Sequence, residues 1–509
     1  MEQKTHFDYL VLGSGMAGLS VAALLAHAGH RVGVLEKHET AGGYAHTFDL
    51  NGYEFSAQVH YIWGCGHGEP IHQFLSKIGL EDTITFERLD PNGYDHAVLP
   101  DGKRVKFPYG RESLIQNIDA AYPGARAKLD SFFEIIFQLY QEISKFPYRV
   151  HWWHYITKGL TSPYVLKYHS KTLQDVFNEC QLSKEHQAVL CCQSGDLGAP
   201  PAELSVLAYT SLFVGYNKGA YYPTKHFKFF TQTLTNFIND HEGCKVLFES
   251  EVSQLHATKT QIESITTVDG RTFTANHYIC NIDPQSIASQ IGWEYFSEEQ
   301  KNSLRYQYSP SAFMIYLGLK DIDLREYGFG AFNIWQLQDW DMNATWSREM
   351  NGGFEKPWLF LSAPYLRSPD RSSVPPGGAS LEIGTLTGYE YFKALHDESH
   401  ETYKREKERI ANLFLDSATR DFIPNLRDHI VEMAVGTPLT NESFVGAPFG
   451  NCYGSQMTPH NLGLSRLKRD TPWPNLSWCN ASSGYAGVYG TVMTGTYVYE
   501  ELTGDRILI

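Results

Sequence analysis

No two cysteines stand at C-x-x-C spacing in this chain of 509 residues, and no apolar run is long enough to cross a bilayer. Its eight cysteines, Cys65, Cys180, Cys191, Cys192, Cys244, Cys280, Cys452 and Cys479, are scattered. That excludes a disulfide framework or a zinc centre, predicts no metal site, and fits a reduced, cytoplasmic setting. The adjacent Cys191 and Cys192 are open to two readings, a redox pair or two inert thiols. Positive charge is also short: 42 Lys and Arg against 57 Asp and Glu give a net charge of -15. A nucleic-acid partner held by phosphate contacts is therefore excluded. A membrane surface is not, because a local patch outweighs the total. There is no room for a signal peptide before the strand-like run at Tyr9. The expectation is a cytoplasmic protein that either stays in solution or rests on a membrane without crossing it. Internal repeats and low-complexity segments are also lacking.

With 42% hydrophobic and 19% charged residues, the chain reads as globular. Its length predicts two structural units. Aromatic content is 14%, enough to line a large apolar cavity or an interfacial surface, or to fill a core.

The opening segment reads strand, turn, helix, strand. Asp8 to Leu12 is apolar, and Gly13-x-Gly15-x-x-Gly18 follows it. Leu19 to Ala28 has helical spacing with Gly29 placed to end it, and Arg31 to Leu35 is a second strand ending at Glu36. This is a βαβ unit of a parallel sheet. Gly13 permits the tight turn, Gly15 lets a pyrophosphate approach bare backbone, and Gly18 lets helix and strand pack closely. The diphosphate then lies on the free N–H groups of Ser14, Gly15, Met16 and Ala17 at a helix N-terminus. Glu36 is placed to accept from a ribose. Glu36-Lys37, the pair Gly42-Gly43 and Thr47 bring the chain back over the diphosphate. Gly487 and Val488 open a C-terminal helix after the strand Asn475 to Cys479. These two features favour FAD over NAD, and no second fingerprint marks a nicotinamide domain.

Residues 110 to 225 read as mainly helical, with Leu129 to Ile143 the clearest case. Strands occupy 245 to 281, with a turn at Asp269-Gly270. Residues 290 to 450 mix strands and helices, with a loop at Pro375 to Gly378. Cofactor-type elements at both ends and in the middle predict an α/β fold. Its discontinuous Rossmann-type, glutathione-reductase-like FAD-binding domain comprises 1–105, 225–290 and 450–509. A partly helical α+β substrate domain comprises 106–224 and 291–449.

The run from Leu35 through His46-Thr47-Phe48, with Gly52 to Phe55 and His60-Tyr61, resembles the phytoene desaturase, carotenoid isomerase and retinol saturase family, nearest its retinol saturase branch. Ser194 to Gly198 with Pro200 and Pro201, and Glu251-Val252, are similar to it as well. The resemblance implies an FAD enzyme acting on carbon–carbon double bonds of a long unsaturated lipid: retinoid, carotenoid or polyunsaturated fatty acid. It places Gly43 and Thr47 along the cofactor, Val252 against the adenine, and Gly487 and Val488 at the isoalloxazine. Two departures stand out. Lys225-His226 replaces a glycine pair after Pro223, and Asn480-Ala481 replaces a glycine after the last strand.

Chemistry at a double bond needs a proton carrier beside the flavin. His60 and Tyr61 are the candidates, against a purely structural role for both. Lys225 with His226, and Tyr485 with Tyr489, are weaker ones. The aromatic stretch with Trp152, Trp153, Tyr155, Tyr164 and Tyr168 reads either as a peripheral membrane contact or as the lining of a tunnel. An amine-oxidase-type flavoenzyme and a lipid carrier that holds FAD for stability remain the alternatives. The electron partner is left open.

Overall fold

In the computed structural model, which describes residues 5–148, 150–159 and 161–508, the apolar opening becomes the strand Thr5–Leu12. It pairs in parallel with Val32–Leu35 on one side and Thr272–Cys280 on the other. Lys245–Leu247 and Leu476–Trp478 extend the sheet in parallel at its two ends. All four residues of Val32–Leu35 are buried, as parallel strands covered on both faces require. The start of Thr272–Cys280 also pairs antiparallel with Ile262–Thr267, which pairs in turn with Val252–Ala257. Gly270, with φ +86°, makes the turn. This is the Rossmann-type arrangement, gathered from the start, middle and end of the chain.

The first helix runs Met16–His27, one turn earlier than expected, because Gly15 serves as its N-cap. The C-terminal helix Gly487–Thr503 lies across it, and Gly495 is the point of closest approach. A Cβ there would stand 2.6 Å from the Ala17 carbonyl oxygen. Helices fill most of 111–218, including Arg126–Ile143 and Val206–Lys218, which pack on each other. Cys191 and Cys192 sit fully buried in this region, and burial pushes both thiols up, which disfavours the thiolate that a redox pair needs.

A second sheet carries the strands Ile430–Gly436, Ser311–Lys320, Gly378–Thr387, Trp358–Ser362, Asn333–Leu337, Asp95–Val98 and Arg104–Phe107, in that order. Asp95–Val98 runs parallel to Asn333–Leu337, and the other neighbours are antiparallel. Residues 95–105, expected within the cofactor range 1–105, thus belong to this second sheet. Their partner strand lies more than two hundred residues away, a pairing no local pattern encodes.

Replacing Gly495 by Leu is expected to force the two helices apart. Overpacking against backbone costs about 1–3 kcal/mol. A lower urea midpoint with unchanged secondary structure by circular dichroism is the expected result.

Candidate active site

The uncapped N-termini of the first and last helices open on one cavity of about 390 Å³. Gly13, with φ +96°, makes the turn out of the first strand. Asn281, just past the strand Thr272–Cys280, fixes that turn: its Oδ1 accepts from Gly15 N at 3.0 Å and its Nδ2 donates to the Cys479 carbonyl at 2.8 Å. A Cβ on Gly15 would stand 2.6 Å from this amide. Gly42 (φ +120°) and Gly43 (φ +57°) fold the chain back so that Gly42 N donates to Ser14 O at 3.0 Å. Bare backbone therefore faces bare backbone at the mouth of the helix, a cradle that side chains would fill. Its donor set suits a diphosphate.

Glu36 ends its strand as expected, 7% exposed. One carboxylate oxygen accepts from Ser14 N at 2.9 Å and from the Ser14 hydroxyl, and the other accepts from His38 N at 3.0 Å. Ser14, Met16, Ala17, Lys37, Gly43, Val252, Gly487 and Val488 line the same cavity, alongside Gly13, Gly15 and Glu36. Gly18 does not: its missing side chain is what lets the helix pack, since a Cβ would lie 2.3 Å from Gly13 O. Thr47 is also outside, opening the hairpin strand Thr47–Leu50 opposite Ser56. His46 takes the cavity side instead, its ring stacked at 4.8 Å on Phe444, with His38 stacked at 4.5 Å on the same ring. Sequence reasoning missed Asn281 and Phe444, both brought in by distant segments. It also missed Arg466, a buried guanidinium that donates to Gly484 O at 2.7 Å and to Ser455 Oγ at 2.6 Å, and also to Ala481 O. These bonds anchor the loop beside the C-terminal helix. The signal for Asn480 was its departure from a family glycine. Asn480 Oδ1 accepts from Ser482 N and Ser483 N, so its side chain shapes the turn.

The cavity meets a second chamber of about 140 Å³ at Gln58, Val59, Tyr453, Ala486, Gly487 and Val488. His60, Tyr61 and Asp196 face this chamber among Met314, Trp335 and Phe360. Strand register sets the polar groups behind His60 and Tyr61. Asp95 pairs with Asn333, Asn333 with Ser362, Ser362 with Glu382, and Glu382 with Tyr316. Cross-strand partners share a face, so five polar side chains form one row. Arg367, 2% exposed, lies along the row: it donates to Ser362 Oγ at 2.7 Å, to Asn333 Oδ1 and to the His60 carbonyl. Glu382 receives His60 Nδ1 at 2.9 Å, and the His60 ring packs on Phe360 at 4.3 Å.

The Tyr61 hydroxyl lies 2.6 Å from Asp196 and 3.0 Å from Asp95, with its ring stacked on Tyr216 at 4.0 Å. Lys225 and His226 stand elsewhere. Lys225 lies over the Phe229 ring, and His226, in the left-handed region at φ +62°, contacts Tyr222 and the Asp370 carbonyl. Tyr489 lines the chamber, and Tyr485 lines a third cavity described below.

Burial pushes the Asp196 carboxyl from 3.8 up to about 8. It raises Asp95 only to about 6, because Gln193, Asn333 and Tyr61 hydrogen-bond that carboxylate and Arg367 attracts it. A carboxyl raised on folding stabilises the protein below its unfolded pKa, and that contribution is lost as pH rises through the folded value. Unfolding free energy is therefore expected to carry a falling component between about pH 4 and pH 8. In Asp196→Asn, urea titrations across that window should show a shallower fall.

A model of the family described as flavin containing amine oxidoreductase matches residues 16–498. The all-trans-retinol 13,14-reductase of Danio rerio is 26% identical over 491 residues, 88% of this chain and 77% of that protein. The chloroplastic prolycopene isomerase 1 of an Oncidium hybrid cultivar is 23% identical, over 99% of this chain and 85% of that protein. Among solved structures, wild-type putrescine oxidase bound to putrescine superposes with a TM-score of 0.68 at 14% identity, covering 99% of this chain and 100% of that one. The matched span takes in the whole of the first helix, the chamber and most of the last helix. On that ground the chain belongs to the flavin containing amine oxidoreductase family and is an FAD-dependent oxidoreductase.

Proposed function

We propose that this oxidoreductase acts on carbon–carbon double bonds of a long unsaturated lipid, as a saturase, desaturase or cis–trans isomerase. The single observation that carries the reading is the shape of the apolar space. The chamber meets a third cavity of about 350 Å³ at Trp63, Leu197, Leu212, Met457, Ala486 and Tyr489. That cavity is lined by Tyr140, Phe146, Tyr148, Val165 and Tyr497, among others, an aromatic and aliphatic sleeve suited to a polyene. Relatives named for a retinol and for prolycopene support the same class of substrate.

In this reading the sheet that opens with Thr5–Leu12 holds FAD and the second sheet with the helices of 111–218 holds the lipid. The amides at the start of Met16–His27 receive the diphosphate. Glu36 takes the adenosine ribose, Val252 borders the adenine, and Gly487 and Val488 meet the isoalloxazine. FAD supplies the hydride chemistry when bound. His60, oriented by Glu382, and Tyr61 border the reacting part of the lipid and exclude water from it. Burial raises the Asp196 carboxyl that faces the chamber, which disfavours an anionic anchor for an ammonium group there.

The short helix Trp152–Gly159 sits between Val150 and Val165, both of which line the third cavity. Trp152 is 66%, Trp153 46% and Ile156 67% exposed. Among the described residues no helix is long and apolar enough to span a membrane. The side chain of Tyr155 lies outside the described residues. The reading assigns this helix to a lipid surface, from which substrate enters the sleeve.

Purified protein should release FAD, identified by mass spectrometry. After anaerobic reduction it should convert a retinoid or carotenoid to a product with two more hydrogens, or to a geometrical isomer. Peroxide from an amine panel with every polyene unchanged would defeat the reading. Liposome flotation should be lost when Trp152, Trp153 and Ile156 are all changed to Ser.

A further inference from the structure

The Tyr61 hydroxyl has one proton and two carboxyl neighbours. It donates to one of them, so the other contact, at 2.6 or 3.0 Å, needs a proton on the carboxyl itself. The surroundings decide which carboxyl carries it. Asp95, fully buried, accepts from Gln193 Nε2 at 2.5 Å and from Asn333 Nδ2 at 2.7 Å, with the Arg367 guanidinium one residue beyond Asn333. Three donors and a cation favour the anion there. Asp196 is the next-to-last residue of a 3-10 turn, Cys192–Leu197, that Gly198 closes in the left-handed region at φ +62°. Its only hydrogen-bond partner among the described residues is Tyr61. The groups that act on it include Tyr61, Tyr216, Tyr453, Asp95 and the buried thiol of Cys192, with Arg367 the cation among the described residues that does so. Arg367 serves Asp95 and Glu382 as well. A second anion beside Asp95 would lack a partner of its own.

We propose that Asp196 is the proton donor of the chamber, held as the neutral carboxylic acid by the Tyr61 hydroxyl that it shares with Asp95. The substrate in this step rests on the polyene reading above. Asp196 gives its proton to one carbon of the double bond, and the other carbon takes a hydride equivalent from reduced flavin as reductant. The π bond is consumed, two C–H bonds form, the flavin ends oxidised and Asp196 ends as a carboxylate. The Tyr61 hydroxyl then turns from Asp95 to Asp196 and stabilises the new charge, while Gln193 and Asn333 keep Asp95 satisfied. Asp95 and Tyr61 are positioning residues for the proton.

The test is infrared spectroscopy of the FAD-loaded protein combined with turnover. Labelling with 4-13C-aspartate separates the Asp196 carboxylic-acid carbonyl band from that of Glu349, a second buried carboxyl raised by burial. At neutral pH the wild type should show a label-shifted protonated-carboxyl band that moves in D2O and is missing in Asp196→Asn. Reduction of a retinoid or carotenoid by that variant should fall about 100-fold or more with its FAD retained. In D2O the wild-type product should carry solvent deuterium at the carbon that Asp196 protonates. Absence of any label-shifted band in the wild type, its persistence in Asp196→Asn, or unchanged turnover in that variant would each overturn the proposal. If Asp196→Asn does not fold, the labelled wild type and Tyr61→Phe decide. The band should weaken or shift without the tyrosine hydroxyl, and an identical band in Tyr61→Phe would overturn the proposal. The infrared arm needs no substrate. A correct band with no polyene changed therefore defeats the lipid reading and leaves Asp196 as the protonated carboxyl of the chamber.

Discussion

A single buried cation governs the chamber. Arg367 is enclosed with Asp95 and Glu382 on either side of it and Asp196 close by. Burying ionised groups costs several kcal/mol per ion unless pairing and hydrogen bonds return it. One guanidinium among three carboxylates, with His60 a second partner of Glu382, leaves the charge uneven and favours a protonated carboxyl at Asp196. Strand register sets the positions, since the row from Asp95 to Tyr316 exists only if five strands pair in one alignment. A one-residue slip in any of them would turn its member to the opposite face.

The cofactor half depends on a different economy. Two helices begin at its cavity without side-chain caps, leaving their first N–H groups to the space between them. Glycines at 13, 15, 42 and 43 keep that space clear, and Gly495 lets the helices touch. The chain's first and last elements thus form one surface, and the sheet beneath draws on its middle.

Much of this was legible in order along the chain. A glycine turn between two apolar strands, an acid ending the second, and a small-residue helix start near the C-terminus all express local backbone requirements. The unseen parts are non-local. Asn281 and Phe444 reach the cavity from segments hundreds of residues away, and strand 95–98 finds its sheet through a partner at 333–337. Thr47 stands off the cavity for a local reason: the turn at Gly43–Ala45 presents His46 to it and sends Thr47 into a hairpin. His226 is instructive because it stands where the resembling family has glycine and adopts the left-handed backbone that glycine favours. The residue differs but the turn is kept, and two hydrogen bonds hold the imidazole in place. Asp196 lay inside a quoted motif, yet only its neighbours give it chemistry.

The stacked rings of Trp63 and Tyr489, 3.5 Å between centroids, stand where chamber and sleeve join. Rings in van der Waals contact leave no gap between them, so the pair acts as one aromatic wall of the junction. Trimming either ring would widen the junction and merge the two spaces.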